Sequence, residues 1–273
     1  MDFPKEIRYR EQYASRLQTF ARQYETDRQP EKASVIYQQL MEVREKLVED
    51  YPAVVNYQRD LDVSYSRLGN NYRASKQWQK SADIMTRIVL LRSRILKSGG
   101  YLAKDRYTLA SRLYLWGRDL GELQKHEEAI EKLQESLTHY EALPKDGSSS
   151  SEMIAGHGHT CMQLGYELLA VQQWKLAHET FLKALPLREK LFSSGKTSNN
   201  RNMLSKCHYM LFQTYWYVKY DFAAASYHYA LSSIIDPVYC EPLVDPSWLI
   251  KTTLRYGKAT PQSTSPIKLK SGK

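Results

Sequence analysis

Small side chains recur along this chain with a period of 48 residues. They stand at Ala21, Gly69, Gly117 and Gly165, and Phe212 follows 47 residues later. A second small position comes twelve residues after each of these, at Ala33, Ser81, Ala129, Ala177 and Ala224. A fixed period of this length, with room for two helices in each unit, is typical of a helical solenoid. The period therefore favours an interaction protein over an enzyme.

Apolar residues keep the same register as the small ones. They directly precede the first small position, at Phe20, Leu68, Trp116, Leu164 and Leu211, and come three residues after it, at Tyr24, Tyr72, Leu120, Leu168 and Tyr215. A third set lies four residues past the second small position, at Tyr37, Met85, Leu133 and Phe181. The fifth unit departs from the pattern, with Phe212 at the first small position and His228 at this apolar one. The spacing predicts a hairpin of two packed helices in each unit. Glycine inside a helix costs about 1 kcal/mol relative to alanine, so the glycines indicate a close approach of two helix backbones.

The second unit resembles a tetratricopeptide repeat (TPR) at Leu68, Gly69, Tyr72, Ser81, Met85 and Ile88. The unit of that family is usually about 34 residues long. Here the second helices run on for several turns, through residues 43–47, 91–95 and 187–191. The chain is thus similar to the long-helix variety of bacterial TPR arrays and, more weakly, to kinesin light chain repeats.

The resemblance implies an all-α, right-handed superhelical solenoid of about five TPR-like hairpins. We expect them near residues 7–50, 58–98, 104–143, 152–193 and 200–236. A short capping helix over 246–256 would complete a repeat domain spanning residues 1–257. Pro, Ser, Thr and Lys dominate residues 258–273, which predicts a disordered basic tail.

Composition excludes several other classes of protein. No apolar run approaches about 18 residues, and the chain opens on polar residues, so we expect neither a membrane span nor a secretory signal. The three cysteines, Cys161, Cys207 and Cys240, lack paired spacing, which suits a reducing compartment and predicts a cytoplasmic protein. Of the net charge of +9, six positive charges fall within residues 251–273, which contain no acid. The repeats themselves carry too little positive charge to favour nucleic-acid binding.

Candidate chemistry is sparse. His157, His159 and Cys161 resemble a metal cluster, but a spacing of two on a helix turns His159 away from the other two. His178 and His208 are single histidines on helices. The sequence holds no phosphate loop, zinc-protease motif, dinucleotide fingerprint or nucleophile elbow. We therefore expect no catalytic residues, no metal and no cofactor.

The TPR resemblance implies a peptide groove lined by the first helix of each hairpin. Transferred residue by residue, the groove positions give a candidate binding set of Arg22, Asn70, Arg73, Tyr114, Arg118, Tyr166, Tyr209 and Trp216. The arginines would hold carboxylates of an extended acidic peptide, since a guanidinium binds a carboxylate through two hydrogen bonds. The aromatic side chains would pack apolar residues of the same ligand. In the alternative interpretation, the arginines pair with acids on neighbouring turns, namely Glu25, Glu122 or Asp119, and form an ordinary solvated face.

These observations predict a non-catalytic scaffold that binds a protein or peptide partner. One alternative is a structural or regulatory subunit, or a self-association module, that uses the ends or the convex face. An RNA-binding helical repeat is a weaker alternative, because it needs stacking aromatics beside cations in every unit. The sequence leaves the oligomeric state open.

Overall fold

The computed structural model describes residues 3–97, 103–144 and 150–236, and this part of the chain is almost entirely helical, with no strand. The α-helices are α1 (Phe3–Thr26), α2 (Pro30–Asp50), α3 (Val55–Ala74), α4 (Trp78–Lys97), α5 (Ala103–Glu122), α6 (His126–Glu141), α7 (Ser151–Ala170), α8 (Trp174–Ser194), α9 (Ser198–Thr214) and α10 (Phe222–Ile235). A π-helix, Tyr215–Lys219, separates the last two. The predicted all-α fold of consecutive helix hairpins is confirmed. The predicted capping helix over 246–256 and the tail over 258–273 lie outside the described residues.

The chain divides into two compact units. The first unit, Met1–Ser194, contains α1 to α8, and the second, Gly195–Lys273, contains α9, the π-helix and α10. Within the first unit each helix packs on the next along the chain. Among the described residues, no helix combines the length and the apolar character needed to cross a membrane.

Every hairpin turns through one residue with a left-handed backbone. These residues are spaced 48 apart, at Arg28, Lys76, Gln124, Gln172 and Tyr220, with φ between 52° and 62°. At the third turn, the N–H of Lys125 donates to the carbonyl of Leu120, and the N–H of Gln124 donates to that of Gly121. This pair of bonds is the Schellman motif, which satisfies carbonyls at the end of a helix. The turn geometry therefore repeats with the same period as the small residues.

The small residues mark the places where the two helices of a hairpin cross. Ala33, Ser81, Ala129 and Ala177 are completely buried. A Cβ atom added to Gly165 would lie 2.3 Å from the ring of Phe181, and one added to Gly69 would lie 2.7 Å from Cε of Met85. The glycines thus accommodate a large side chain of the second helix. The predicted backbone-to-backbone approach is a secondary contact, seen at Gly117, where the carbonyl of Ala129 would lie 3.1 Å from an added Cβ.

In the fifth hairpin the register differs from the prediction by one residue. Ala225 is the fully buried small residue, 48 positions after Ala177, whereas Ala224 is only half-buried. The π-helix is the cause, because such a turn accommodates one extra residue within a helix. It compensates for the spacing of 47 that leads to Phe212. The apolar position on α10 is accordingly Tyr229, whose ring lies 5.1 Å from that of Phe212, and not His228.

Candidate functional site

The first helices of the hairpins in the first unit are linked to one another by side chains. We call α1, α3, α5 and α7 the first-helix layer. Arg67 of α3 lies 3.6 Å from a carboxylate oxygen of Glu25 on α1. Arg73 of α3 pairs with Asp119 of α5 at 2.8 Å. The rings of Tyr114 on α5 and His159 on α7 are 6.3 Å apart. Equivalent positions of these four helices therefore form a continuous surface.

The predicted binding residues fall into three groups in the structure. Arg22 and Asn70 are exposed, and Tyr114, Arg118 and Tyr166 are half-buried; all five belong to the first-helix layer. Arg73 belongs to the same layer but is buried. Two further residues, Tyr209 and Trp216, are half-buried in the second unit, where both rings pack against Phe212.

Arg73 is the centre of a buried polar network. Its Nε donates to both carboxylate oxygens of Asp119, at 2.8 and 3.1 Å, and its Nη1 donates to Oδ1 of Asn70 at 2.6 Å. Ser81 of α4 donates to the same carboxylate at 2.6 Å. Burial lowers the pKa of Arg73 and raises that of Asp119, while the charge of each partner opposes the shift of the other. The network joins α3, α4 and α5, so the charge of Arg73 is used inside the protein.

Arg118 has different surroundings. It is half-buried, and no described residue forms an ion pair or a hydrogen bond with its side chain. The adjacent carboxylate, Asp119, is already neutralised by Arg73. Burial, with Arg188 and Arg118 as further causes, lowers the pKa of His159 to about 4. Arg118 is therefore a half-buried cation without a hydrogen-bonded carboxylate among the described residues, although Asp119 is its neighbour and the exposed Glu122 lies one turn further along α5.

Two tyrosines lie at the groove positions of α5 and α7. The ring of Tyr166 lies edge-on to Phe181, with ring centres 5.7 Å apart, and Phe181 in turn packs against Gly165. Tyr114 is held beside His159. Such rings present apolar area whose side-chain freedom is already restricted, so a ligand would order little on contact.

His157, His159 and Cys161, which resemble a metal cluster in the sequence, lie in a region packed as a core. Cys161 is fully buried, and burial raises the pKa of its thiol to about 12. The ring of His157 stacks on Tyr140, with centres 5.6 Å apart. The residues that the structure describes contain no group of three or more His, Cys, Asp or Glu side chains placed to hold a metal ion.

Solved structures share this architecture. A putative kinesin light chain from Podosopora anserina with nearly identical TPR-like repeats is 15% identical, covers 86% of this chain and 99% of its own, and has a TM-score of 0.54. The apo form of RapI is 14% identical, with 89% and 82% of the two chains covered and a TM-score of 0.60. YrrB, described as a TPR protein with an unusual peptide-binding site, is 15% identical over 93% and 98%, with a TM-score of 0.50. No family model and no curated protein sequence matches the chain.

The chain has a TPR-like fold. Its helices are long, and the extra length of the second helices carries buried arginines to which the sequence analysis assigned no role. Arg44, Arg92 and Arg188 are 48 or 96 residues apart, and Tyr140 occupies the remaining position. Their recurrence inside an apolar stripe was the signal that could have identified them.

Arg44 shows what these arginines do in the TPR-like fold. Its guanidinium donates to Gln18 of α1 at 2.6 Å, and to Ser64 and the carbonyl of Asp60 on α3 at 2.6 and 2.8 Å. Gln18 of the first-helix layer is thus held by Arg44. Beside this arginine lies a cavity of about 330 Å³ that Tyr57 also lines. The buried arginines bind successive hairpins to each other, which makes the first-helix layer a stiff surface.

Proposed function

We propose that this protein is a non-catalytic scaffold that binds a partner protein through the first-helix layer of its first unit. The ligand is an extended acidic peptide segment. Arg118 is its principal anchor, Arg22 and Asn70 lie further along the same surface, and Tyr114 and Tyr166 pack against its apolar side chains. Tyr209 and Trp216 belong to the second unit and form no part of this proposed site.

The half-buried guanidinium of Arg118, which has no hydrogen-bonded carboxylate among the described residues, carries the proposal. A guanidinium that has lost part of its hydration gains most from a carboxylate that can accept two of its hydrogen bonds. Arg73 keeps Asp119 from supplying that carboxylate. A carboxylate of the ligand would accept the hydrogen bonds that the Arg118 guanidinium does not make with the described residues of this chain.

The stiffness of the layer supports the same function. Arg44 ties α1 to α3 and Arg73 ties α3 to α5, so binding to this part of the layer would require little rearrangement of the protein. YrrB, which shares the fold, is described as having a peptide-binding site. The similarity in sequence is low, and the proposal therefore rests on the residues of this chain.

The decisive experiment measures peptide binding to the whole protein and to Arg118→Glu. A library of acidic peptides and charge-neutral versions of the same peptides would be assayed by fluorescence anisotropy. One charge-assisted contact contributes about 1.5–3 kcal/mol, so Arg118→Glu should weaken acidic peptides roughly 10- to 100-fold. Binding should also weaken as salt is added. Arg73→Glu is unsuitable because it would place a second carboxylate against buried Asp119.

Arg94→Glu is the matched control. Arg94 is exposed on α4, outside the first-helix layer, so this variant has the same charge change on another surface. Equal loss of binding in Arg94→Glu and Arg118→Glu would show that the loss comes from the change in net charge and not from the position of Arg118. If acidic peptides bound Arg118→Glu as well as the native chain, the proposed anchor would be wrong. The absence of any peptide binding would exclude the groove as the functional surface.

A further inference from the structure

The first helix carries a stripe of exposed aromatic side chains. Tyr9, Tyr13 and Phe20 of α1 are 69%, 52% and 60% exposed, and Arg16, also exposed, lies between them. At 100° per residue these four side chains lie within about 60° of one another, on a side of the helix that adjoins the face carrying the buried Leu17. Three exposed aromatics on one helix face form an apolar patch of the kind that marks interaction sites.

Equivalent residues of the next hairpin show what such positions do. Leu61 and Leu68 of α3, 48 residues after Tyr13 and Phe20, are 4% and 0% exposed. They belong to a core cluster that also contains Leu40 and Met41 of α2, the helix before them. Tyr13 and Phe20 therefore occupy positions that, in the next hairpin, pack against the preceding hairpin. Among the described residues, nothing covers these positions on α1.

The spacing of the stripe is symmetric. Its residues 9, 13, 16 and 20 are separated by four, three and four positions, as in the seam of a coiled coil. In an antiparallel pair of α1 helices related by a two-fold axis, Tyr9 would face Phe20 of the second copy. Tyr13 would face Arg16 of the second copy, and both kinds of pair share one centre between residues 14 and 15. A ring opposite a ring and a guanidinium opposite a ring are both favourable contacts.

Most charges beside the stripe are balanced within one chain, whereas the two Arg16 side chains, about 4.5 Å apart along the paired helices, repel each other and are offset by their contacts with the Tyr13 rings. Glu6 pairs with Arg10 at 2.6 Å, and Arg10 also pairs with Asp50 of α2. These charges are balanced within one chain. Arg16, by contrast, has no ion pair or hydrogen bond from its side chain to any described residue.

We propose that a second copy of this chain covers the stripe, forming a two-fold dimer through antiparallel α1 helices. A surface that meets itself about a two-fold axis must be self-complementary, and the 4–3–4 spacing satisfies this condition. Six aromatic side chains of about 150–250 Å² each, which are 52–69% exposed in one chain, can bury roughly 700 Å², the size of a small and transient interface. We accordingly expect a weak dimer that forms away from the peptide surface.

Sedimentation equilibrium over a concentration series of the full chain tests the proposal. The native protein should show a reversible monomer–dimer equilibrium, and Phe20→Glu or Arg16→Glu should raise its dissociation constant at least tenfold. Tyr227→Glu and Arg94→Glu are matched controls, since Tyr227 is 61% exposed on α10 and Arg94 is exposed on α4. They should dimerise like the native chain. A native protein that is monomeric at all concentrations, or dimers that persist in Phe20→Glu, would overturn the proposal.

Cysteine cross-linking tests the register. In a chain carrying Cys240→Ser, the variants Tyr9→Cys and Phe20→Cys would be oxidised separately and as a mixture. The remaining cysteines, Cys161 and Cys207, are buried. The mixture should form a disulfide-linked dimer, and each variant alone should form much less. Stronger linkage in the separate samples would contradict the antiparallel pairing. Linkage to a different protein would assign the stripe to that partner, and the absence of any linkage would contradict the dimer.

Discussion

Large and small side chains at the helix crossings act as matched pairs. Gly69, Gly117 and Gly165 face Met85, Leu133 and Phe181, each sixteen residues further on. Buried arginines add polar contacts between helices, as Arg73 does with Asp119. Packing in such a core is dense, so adding or removing even one heavy atom of a side chain changes the stability of the protein.

Gly165→Ala tests the tightness of one crossing. In an open helix this change would stabilise by about 1 kcal/mol, but the new methyl group would lie 2.3 Å from the Phe181 ring. Overpacking of this kind costs about 1–3 kcal/mol, so after the gain in helix propensity we expect a net loss of stability of about 1 kcal/mol, and at most about 2 kcal/mol, in urea unfolding followed by circular dichroism. Gly195→Ala is the control, because its nearest contact would be Nδ2 of Asn200 at 3.8 Å. Equal stability of the native chain and Gly165→Ala would show that the ring moves freely.

A buried histidine pair makes the second unit sensitive to acid. Nδ1 of His208 lies 2.9 Å from Nδ1 of His228, so one neutral ring donates and the other accepts. Burial, followed by the charge of His228, lowers the pKa of His208 to about 4. The unfolded chain, with a pKa near 6.5, binds the proton more tightly. The contribution of His208 to the free energy of unfolding is therefore fully present above about pH 6.5. It falls by about 3 kcal/mol between that pH and pH 4.

His208→Asn removes the titrating group while retaining a polar side chain. Urea unfolding between pH 7.5 and 4 should show a shallower loss of stability for this variant than for the native chain. His159, whose pKa is also lowered to about 4, is present in both proteins and cancels in the comparison. Proton NMR of the histidine rings would report the pKa directly. A value near 6.5 for His208, or identical pH profiles, would contradict the prediction.

Helix hairpins in this protein depend on a turn whose conformation repeats more strictly than its sequence. Arg28, Lys76, Gln124, Gln172 and Tyr220 share the left-handed conformation although none is glycine. In the fifth hairpin, the turn keeps its place only because the π-helix absorbs one residue, and the N–H of Asp221 reaches back to the carbonyl of Tyr215 at 3.3 Å. The period of 48 is thus a property of the turns and crossings together.

Gln124→Gly should stabilise the third hairpin. A left-handed conformation costs a residue with a Cβ atom about 1–2 kcal/mol, whereas glycine adopts it freely but loses more backbone entropy on folding. The net gain should be up to about 1 kcal/mol in thermal or urea unfolding. Gln124 is exposed, so little side-chain packing is lost. Gln124→Val should destabilise the protein, because valine disfavours the left-handed conformation. Destabilisation by Gln124→Gly together with stabilisation by Gln124→Val would refute the strained turn.

As a whole, the molecule combines two units with an uneven distribution of charge. Residues 251–273 hold six positive charges and no acid, so the other 250 residues carry only +3 of the net charge of +9. In the proposed complex, attraction of an acidic peptide to the first unit would therefore depend on the local position of Arg118 and not on the total charge. The proposed peptide surface and the proposed α1 interface occupy different faces of that unit, so that loss of dimers in Arg16→Glu and loss of peptide in Arg118→Glu should be independent.

Fold prediction from the sequence succeeded because a helix crossing is a local, repeated requirement. Each small residue and its large partner lie sixteen positions apart, so their spacing is visible without knowledge of the rest of the chain. The prediction was wrong by one residue at Ala224 and His228, since the π-helix produces no distinct composition and only the packing of Ala225 and Tyr229 reveals it.

The sequence by itself determined the helix hairpins, their period and the positions of the crossings, because helical periodicity and steric size act over short stretches of chain. Only the tertiary structure decided which arginines are free. Arg73 and Arg118 occupy similar groove positions, but Arg73 reaches an acid 46 residues away that is buried with it, and Arg118 does not. Burial and ion pairing depend on distant neighbours brought together by packing, so Arg73 stabilises the fold while Arg118 is available for the proposed contact with a partner.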